Sequence, residues 1–455
     1  MAPSPSSGSS HEDNRRDFLR GSSLLLAGVL PAAKVRTPQE VGSAVPASRT
    51  TAPRVLKIGL IGCGRRGLAV TRELLAAAND QLTVHLTAAA DLFPDRLQQT
   101  LRSLKGQFSQ TASVHANRRF VGPAGYQALL ESDVDVVLLT TPPALRPQHF
   151  EAAVAAAKHI YAERPIAVDA AGVGRFETAN ASAVQQHLAV SVGLPRRCDP
   201  RFQATLAQLQ QGAIGSLHSA EAYHWLGATQ LSPRPKHTSE VEYQLRNWRN
   251  HNPLSGGPWV ESHLQNLDVI NWLLDTHPIA ASPLLLHDSP SRGFVSPSHD
   301  SPSRDQAHLP TPPTLLASSC AAQFVSPTSP GDNHSSIVEF HYPTGLRMLS
   351  GCYTAPTTQS ARSKLTVHGS SGHCDILAGK IFDRSGRLTW QASDELPPTR
   401  RDSAQLSSLL SAIASGESLN QGALAADSTL TAILGRMVAT HGRPVAWHDC
   451  QSSVG

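Results

Sequence analysis

The chain has 455 residues, of which 40% are hydrophobic and 16% charged, with a formal net charge of +4. That length supports two domains with sizeable cores, and scattered Lys and Arg offer no basic face of the kind nucleic-acid binding requires. Six dispersed cysteines lack any C-x-x-C pair, which argues against a zinc site or a dense disulfide framework, so no metal is expected and pairing is left open.

The first 35 positions read as a leader. Met1 to Asp13 is polar and small, Asn14-Arg15-Arg16-Asp17-Phe18-Leu19-Arg20 follows, and an apolar Ser23 to Leu30 ends in Pro31-Ala32-Ala33. This resembles a twin-arginine export signal, which hands an already folded protein to the export machinery of a bacterial inner membrane. The expected location is therefore periplasmic or otherwise exported; the plain alternative is a basic disordered tail. The apolar stretch is too short to remain as a membrane span. No other segment has transmembrane length, so the mature protein is expected to be soluble. Residues 36–53, rich in Pro, Ser, Thr and Ala, read as a linker.

A parallel α/β domain is expected over 54–193, because strand and helix patterns alternate from Arg54 onward. The apolar run Val55 to Ile61 reads as a buried strand. It breaks into Gly62-Cys63-Gly64-Arg65-Arg66-Gly67, and a helical pattern follows from Leu68 to Ala78. A G-x-G-x-x-G in this strand–turn–helix context is a dinucleotide fingerprint. Gly62 serves the tight turn, Gly64 the approach of a pyrophosphate, and Gly67 close helix–strand packing. The strand Leu82 to Ala90 ends at Asp91, placed to accept hydrogen bonds from the ribose hydroxyls of NAD. Arg96 lies just behind and would suit a 2′-phosphate, so NAD is expected first and NADP stays open. The competing reading is a glycine-rich turn with an unrelated surface aspartate.

Farther on, Arg96 to Leu104 and Tyr126 to Glu131 read as helical, and Val134 to Leu139 as another buried strand. It ends in Thr140-Thr141-Pro142-Pro143, at the carboxyl edge where such sheets bind ligands. Pro147 is a first-turn proline for the next helix. The strand His159 to Ala162 delivers Glu163-Arg164-Pro165, and Leu188 to Val192 completes the sheet.

The remainder, 194–450, has the rhythm of an α+β domain with a large, mostly antiparallel sheet. Strands are expected at Leu217 to Tyr223, Ser336 to Tyr342, Leu346 to Cys352, Lys364 to His368 and Leu388 to Gln391. The Ser/Pro-rich 282–330 reads as a disordered insertion. Helices at Gln405 to Ala414 and Ala425 to Thr440 close the chain.

By Glu163-Arg164-Pro165 the chain resembles the glucose–fructose oxidoreductase / inositol dehydrogenase / MocA family. The resemblance runs from about Leu56 to Trp447 and rests on several segments in order. They are Gly62-x-Gly64-x-x-Gly67, Thr141-Pro142-Pro143, Lys158 to Pro165, Gly193 to Arg197, Gly212-Ala213-Ile214-Gly215, Tyr243 to Trp248, Leu254 to Gly257, Asn266 to Trp272 and Ser428 to Arg436. It implies a Rossmann domain, with Cys63, Arg65, Arg66, Thr141, Pro142, Glu163 and Arg164 among the cofactor contacts, followed by an open-faced substrate and oligomerisation domain. The implied activity is NAD(P)-dependent hydride transfer to or from a sugar, sugar acid or cyclitol.

Two positions depart from the family pattern. Where the family carries Glu-Lys-Pro, Arg164 replaces the lysine, and a planar, permanently protonated fork differs from an ammonium in shape and proton exchange. Where the family places a histidine four residues after an acid, Glu261 is followed by Gln265, which cannot act as a base. Glu261, Gln265 and Asp268 share one face of a regular helix. His263 lies about 160° around it, and is read either as a substitute base or as a structural histidine. Arg164, Glu261, His263 and Gln265 are thus the catalytic candidates. Arg246 and Asp268 are the substrate-binding ones, with a loop salt bridge and helix packing as their respective alternatives. A catalytically weakened nucleotide- or carbohydrate-binding protein and a redox-assisted glycoside-cleaving enzyme are the competing functions. An exposed face on the second sheet favours a homodimer or homotetramer.

Overall fold

A computed structural model describes residues 54–78, 82–227, 231–234, 236–284, 337–354, 361–393 and 401–453. The leader and linker expected over 1–53 lie outside the described residues, and so does most of the expected insertion. Among the described residues no helix is long and apolar enough to cross a membrane.

Six parallel strands form the first sheet: β1 (Arg54–Ile61), β2 (Leu82–Asp91), β3 (Arg119–Val121), β4 (Val136–Leu139), β5 (His159–Ala162) and β6 (Val190–Val192). Their order, β3-β2-β1-β4-β5-β6, reverses direction between β1 and β4. Ligands of doubly wound sheets bind at such a switch point, beyond the carboxyl ends of the strands. The strands there are uniformly apolar because helices cover both faces. Leu60, Val136, Leu138 and Ile160 have no exposed surface. The helices are α1 (Arg65–Ala76), α2 (Pro94–Gln107), α3 (Gly125–Leu130), α4 (Arg146–Ala155) and α5 (Ala170–Gln185). A proline in the first turn of α4 sits where its missing N–H is not needed, and Asp169 caps α5 by accepting from Gly172 N at 2.7 Å.

After α6 (Pro200–Gln210) the chain enters a nine-stranded sheet, counted among the described residues. Its strands are β7 (Leu217–Leu226), β8 (Ala280–Pro283), β9 (Val338–His341), β10 (Arg347–Thr354), β11 (Arg362–Gly369), β12 (Gly372–Asp375), β13 (Lys380–Asp383), β14 (Leu388–Gln391) and β15 (Val445–Ala446). The order is β14-β13-β12-β11-β7-β10-β9-β8-β15, and only β7 and β10 pair in parallel. The Ser/Pro-rich insertion was expected from residue 282, yet β8 runs to Pro283 and Leu284 N still donates to Ile337 O at 2.9 Å. The buried Ala281 anchors this strand opposite Phe340, which postpones the break in structure.

The helix Gly422–His441 is buried along most of its length and joins the two halves. Any side chain at Gly435 would collide with the ring of Trp259, so a glycine lets this helix approach Trp259 and Phe340. One buried cluster includes Leu139, Phe150 and Phe176 of the first sheet region together with Trp259, Phe340 and Leu434. That continuous core fixes the carboxyl edge of the first sheet against one face of the second domain.

Candidate active site

The loop after β1 is shaped by backbone, not side chains. Gly62 has φ +98, and a Cβ there would lie 2.8 Å from Thr141 N. A Cβ at Gly67 would run into the Gly62 carbonyl oxygen. Thr140 Oγ1 donates to that same oxygen at 2.6 Å, tying the β1 turn to the end of β4. Helix α1 begins after Gly64 with no side-chain cap, so its positive end faces the cleft and suits an anion. Asp91 closes the other side. Its two oxygens accept from Cys63 N at 2.6 Å and Phe93 N at 2.8 Å. Burial nonetheless pushes the carboxyl above its usual range, with those two N–H groups opposing the shift.

These elements line a cavity of about 820 Å³ that includes Gly62, Gly64, Asp91, Arg96, Thr141 and Pro142. A second-domain helix, α7 (Glu240–Arg246), contributes Val241, Leu245 and Arg246 to it. The glycine cradle, the uncapped helix and a carboxylate at the β2 end fit a dinucleotide. Across the 2′ side, Arg96 is occupied: its guanidinium lies 5.0 Å from the Phe93 ring centroid and donates to Arg246 O at 3.0 Å.

A second cavity of about 290 Å³ adjoins the first, and Thr140 and Trp248 line both. It holds Arg66, Arg146, Glu163, Arg164, Arg249 and Glu261, with Gln265 beside them. Arg66 Nε donates to Glu163 Oε1 at 2.5 Å, and Tyr161 OH donates to the same oxygen at 2.8 Å. A Cβ at Gly193 would lie 2.9 Å from Glu163 Oε2, so the glycine leaves room for that carboxylate. The Arg164–Pro165 peptide is cis. Arg164 Nη1 donates to Glu261 O at 3.0 Å. With its amide oxygen turned toward Arg164, Gln265 accepts from Nε at 2.9 Å and also from Nη2. Arg249 Nε donates to Glu261 Oε1 at 3.2 Å. Burial raises the Glu261 carboxyl despite the nearby Arg164, Arg249 and Arg146.

The structure brings Glu261 and Gln265 together with Arg164 at the second cavity, but a π-helix over Trp259–His263 replaces the regular helix and Asp268 does not share their face of the cavity. Other expectations are corrected. His263 has no exposed surface and lines neither cavity: Nε2 meets Ser350 Oγ at 2.7 Å and Nδ1 meets Asn266 Nδ2 at 3.0 Å. Burial holds its ring well below the usual histidine range, so it is a neutral core group facing the second sheet. Asp268 is buried too, bound by Arg197 through Nε and Nη2 and by Ser428 Oγ at 2.6 Å, away from both cavities. Arg246 reaches the nucleotide cavity instead of the substrate side, held by Asp95 at 3.0 and 3.1 Å and by Glu242 at 2.9 Å. Arg65 is exposed and lines neither cavity. Cys63 contributes its N–H to Asp91 while its thiol is buried against Ala90 O at 3.6 Å.

Three participants had not been singled out: Arg146, Trp248 and Arg249. Trp248 ends the Tyr243-to-Trp248 segment without a role assigned to it, and Arg249 follows it, signalled only by adjacency. Arg146, fully buried, donates through Nη1 to Pro165 O and through Nη2 to Thr141 O. No local pattern marks it, because its place depends on the β4–α4 turn meeting the loop after β5.

The fold and the first cavity define a dinucleotide-binding Rossmann protein. Residues 56–194 match the model of the Gfo/Idh/MocA group, described as an oxidoreductase family with an NAD-binding Rossmann fold. Inositol 2-dehydrogenase of Acidothermus cellulolyticus is 27% identical over 225 residues, covering 49% of this chain and 54% of that protein. A dTDP-3,4-didehydro-2,6-dideoxy-alpha-D-glucose 3-reductase of Actinomadura kijaniata is 27% identical over 190 residues, covering 42% and 49%. The chain thus spans about half the length of the curated relatives it matches. Levoglucosan dehydrogenase, solved with NADH and levoglucosan, superposes with a TM-score of 0.61 at 15% identity, covering 86% of this chain and 99% of that one. Aldose-aldose oxidoreductase from Caulobacter crescentus, complexed with glycerol, gives 0.58 at 16% identity, covering 86% and 100%. At such identities the superpositions establish the fold.

Proposed function

We propose that this protein is an NAD-dependent oxidoreductase acting on a hydroxyl-bearing carbon of a sugar, sugar acid or cyclitol. The observation that carries this reading is the meeting of two cavities at Thr140 and Trp248. One is shaped for a dinucleotide and the other gathers ionisable side chains. Nicotinamide, when bound, supplies the hydride acceptor or donor. The chain supplies binding, orientation and proton handling. Gly62, Gly64 and the start of α1 would hold the pyrophosphate, and Asp91 the ribose hydroxyls. A carboxylate there repels a 2′-phosphate, which favours NAD over NADP.

Glu261 is the group suited to take the hydroxyl proton, since its raised carboxyl is a stronger base than an ordinary glutamate. Arg164, held by Gln265 and Glu261 O, presents a fixed cation to the substrate oxygen and stabilises it as charge develops. Gln265 holds the guanidinium and takes no proton. The inositol and sugar dehydrogenases among the relatives support the substrate class. The leader motif supports export of the folded chain by the twin-arginine route to the periplasm. The second sheet carries a cluster of Tyr223, Trp225 and Tyr353 rings, which supports self-association.

The test is to titrate purified protein with NAD and NADP, then add a sugar, sugar-acid and cyclitol panel while following reduced-nicotinamide absorbance. Reduction of NAD by one panel member is expected. Bound nucleotide without any redox change would favour the weakened binding protein, for which Gln265 in place of a titratable group is the motive. Sugar released from a glycoside would favour the cleaving enzyme.

A further inference from the structure

The second cavity carries more positive than negative charge. Four arginines and two glutamates line it, an excess of two positive charges. Arg66 is paired with Glu163 and Arg249 with Glu261. Arg146 and Arg164 have no carboxylate within ion-pair distance among the described residues. Instead both ends of the Arg146 fork and Arg164 Nη1 are spent on backbone carbonyls, and Arg164 Nε is spent on an amide. The Arg146 Nε has no hydrogen-bond partner among the described residues. Carbonyls orient a guanidinium without neutralising it, and a buried Arg146 with a half-buried Arg164 on the same cavity is costly unless an anion joins them. Burial draws Arg146 down to about 10 against the opposing pull of Glu163 and Glu261, with Arg164 adding to the fall, and it stays charged at neutral pH. An oxidised nicotinamide ring nearby would add a further positive charge.

We propose that the second cavity selects a carboxylate-bearing substrate, a sugar acid in preference to a neutral sugar or cyclitol, with the Arg164 and Arg146 guanidiniums as its counter-charge. This rests on the reading above, in which the nicotinamide lies against the same cavity. The carboxylate is not consumed: it anchors the substrate while the reacting carbon is oxidised elsewhere on the molecule.

The experiment uses the full chain loaded with saturating NAD. Binding of gluconate and glucuronate is compared with binding of glucose, sorbitol and myo-inositol by calorimetry, at low and high salt. In parallel, reduced-nicotinamide absorbance is followed with each compound. The acids are expected to bind about tenfold to a hundredfold tighter than their neutral counterparts, and the margin should shrink as salt rises. Arg164→Gln is expected to remove most of that margin, and Arg164→Lys to keep part of it. Neutral compounds binding as well as the acids, or no acid binding to the NAD-loaded chain, overturns the proposal. A neutral sugar turned over while both acids stay inert overturns the charge selection but leaves the oxidoreductase reading standing. Failure of NAD itself to bind removes both.

Discussion

Gln265 grips Arg164: the side-chain oxygen accepts from Nε at 2.9 Å and from Nη2, while Glu261 O takes Nη1 at 3.0 Å. The two positions at which the chain departs from the Gfo/Idh/MocA pattern it resembles are therefore in contact, and each suits the other. A lysine at 164 would offer one ammonium where three directed N–H groups are now used, and a histidine at 265 would set an imidazole against a permanent cation. The departures form one unit. We expect Arg164→Lys and Gln265→His singly to lower kcat/KM by about tenfold or more, and the double variant to recover part of that loss. A double-mutant cycle on kcat/KM with an interaction energy below about 0.5 kcal/mol would show the positions to be independent.

On the proposed reading, Glu261 is expected to set the pH profile of oxidation. Its carboxyl lies above the ordinary glutamate value because burial outweighs its arginine neighbours. A base works only when ionised, so the rate of alcohol oxidation should climb with pH through this raised pKa, higher than a free carboxylate would give. Glu261→Gln should lower kcat by about 10²–10⁴-fold and abolish that limb. Steady-state profiles of kcat against pH for both proteins check it, and an unchanged limb in the variant would assign the titration elsewhere.

Two half-buried or buried histidines make the fold sensitive to acid. His149, packed on Tyr126 and facing Thr141 Oγ1 at 3.0 Å, is drawn down to about 4, chiefly by burial and then by Arg146. His224 is likewise lowered to about 4 by burial, with Arg196 and Arg164 adding to it. The unfolded chain takes up these protons at higher pH than the native one, so their contribution is complete above about 6.5 and is lost as pH falls toward 4. For His149 the loss is on the order of 3 kcal/mol by pH 4. Urea midpoints at pH 7, 5.5 and 4.5 should fall in that order, and His149→Gln should flatten the trend.

The cradle at the first turn tolerates no side chain at Gly67, whose Cβ would meet the backbone oxygen of Gly62. Backbone cannot swing aside as a flexible side chain does, so Gly67→Ala should cost about 1–3 kcal/mol in stability and weaken NAD binding markedly. Gly64→Ala is the control, since nothing lies within 4 Å of a Cβ there and its effect should appear in nucleotide affinity and not in Tm.

The parts of this molecule that sequence exposes are those decided locally. The glycine turn announces itself through three close positions, and the buried strands through unbroken apolar runs. The opposition of His263 to Glu261 and Gln265 follows from helical period alone, and it survives a wide π turn over Trp259–His263. Arg246 was misplaced for the opposite reason: its partner Asp95 lies 151 positions away. Asp268 and Arg197 are likewise joined only by folding. β12 and β13 escaped notice because Gly372–Asp375 and Lys380–Asp383 are short strands whose polar residues blur the alternation. Arg146 carried no signal whatever, since a lone arginine becomes a cavity wall only when two distant loops converge.

The bidentate contact between Arg246 and Asp95 ties α7 to the start of α2 along the wall of the first cavity. Asp95 stands largely open to water, with 62% of its side chain accessible, so dissolved ions compete for that ion pair directly. Ionic strength should then tune residence time: dilute buffer is expected to slow the release of a bound dinucleotide, and concentrated salt to hasten it.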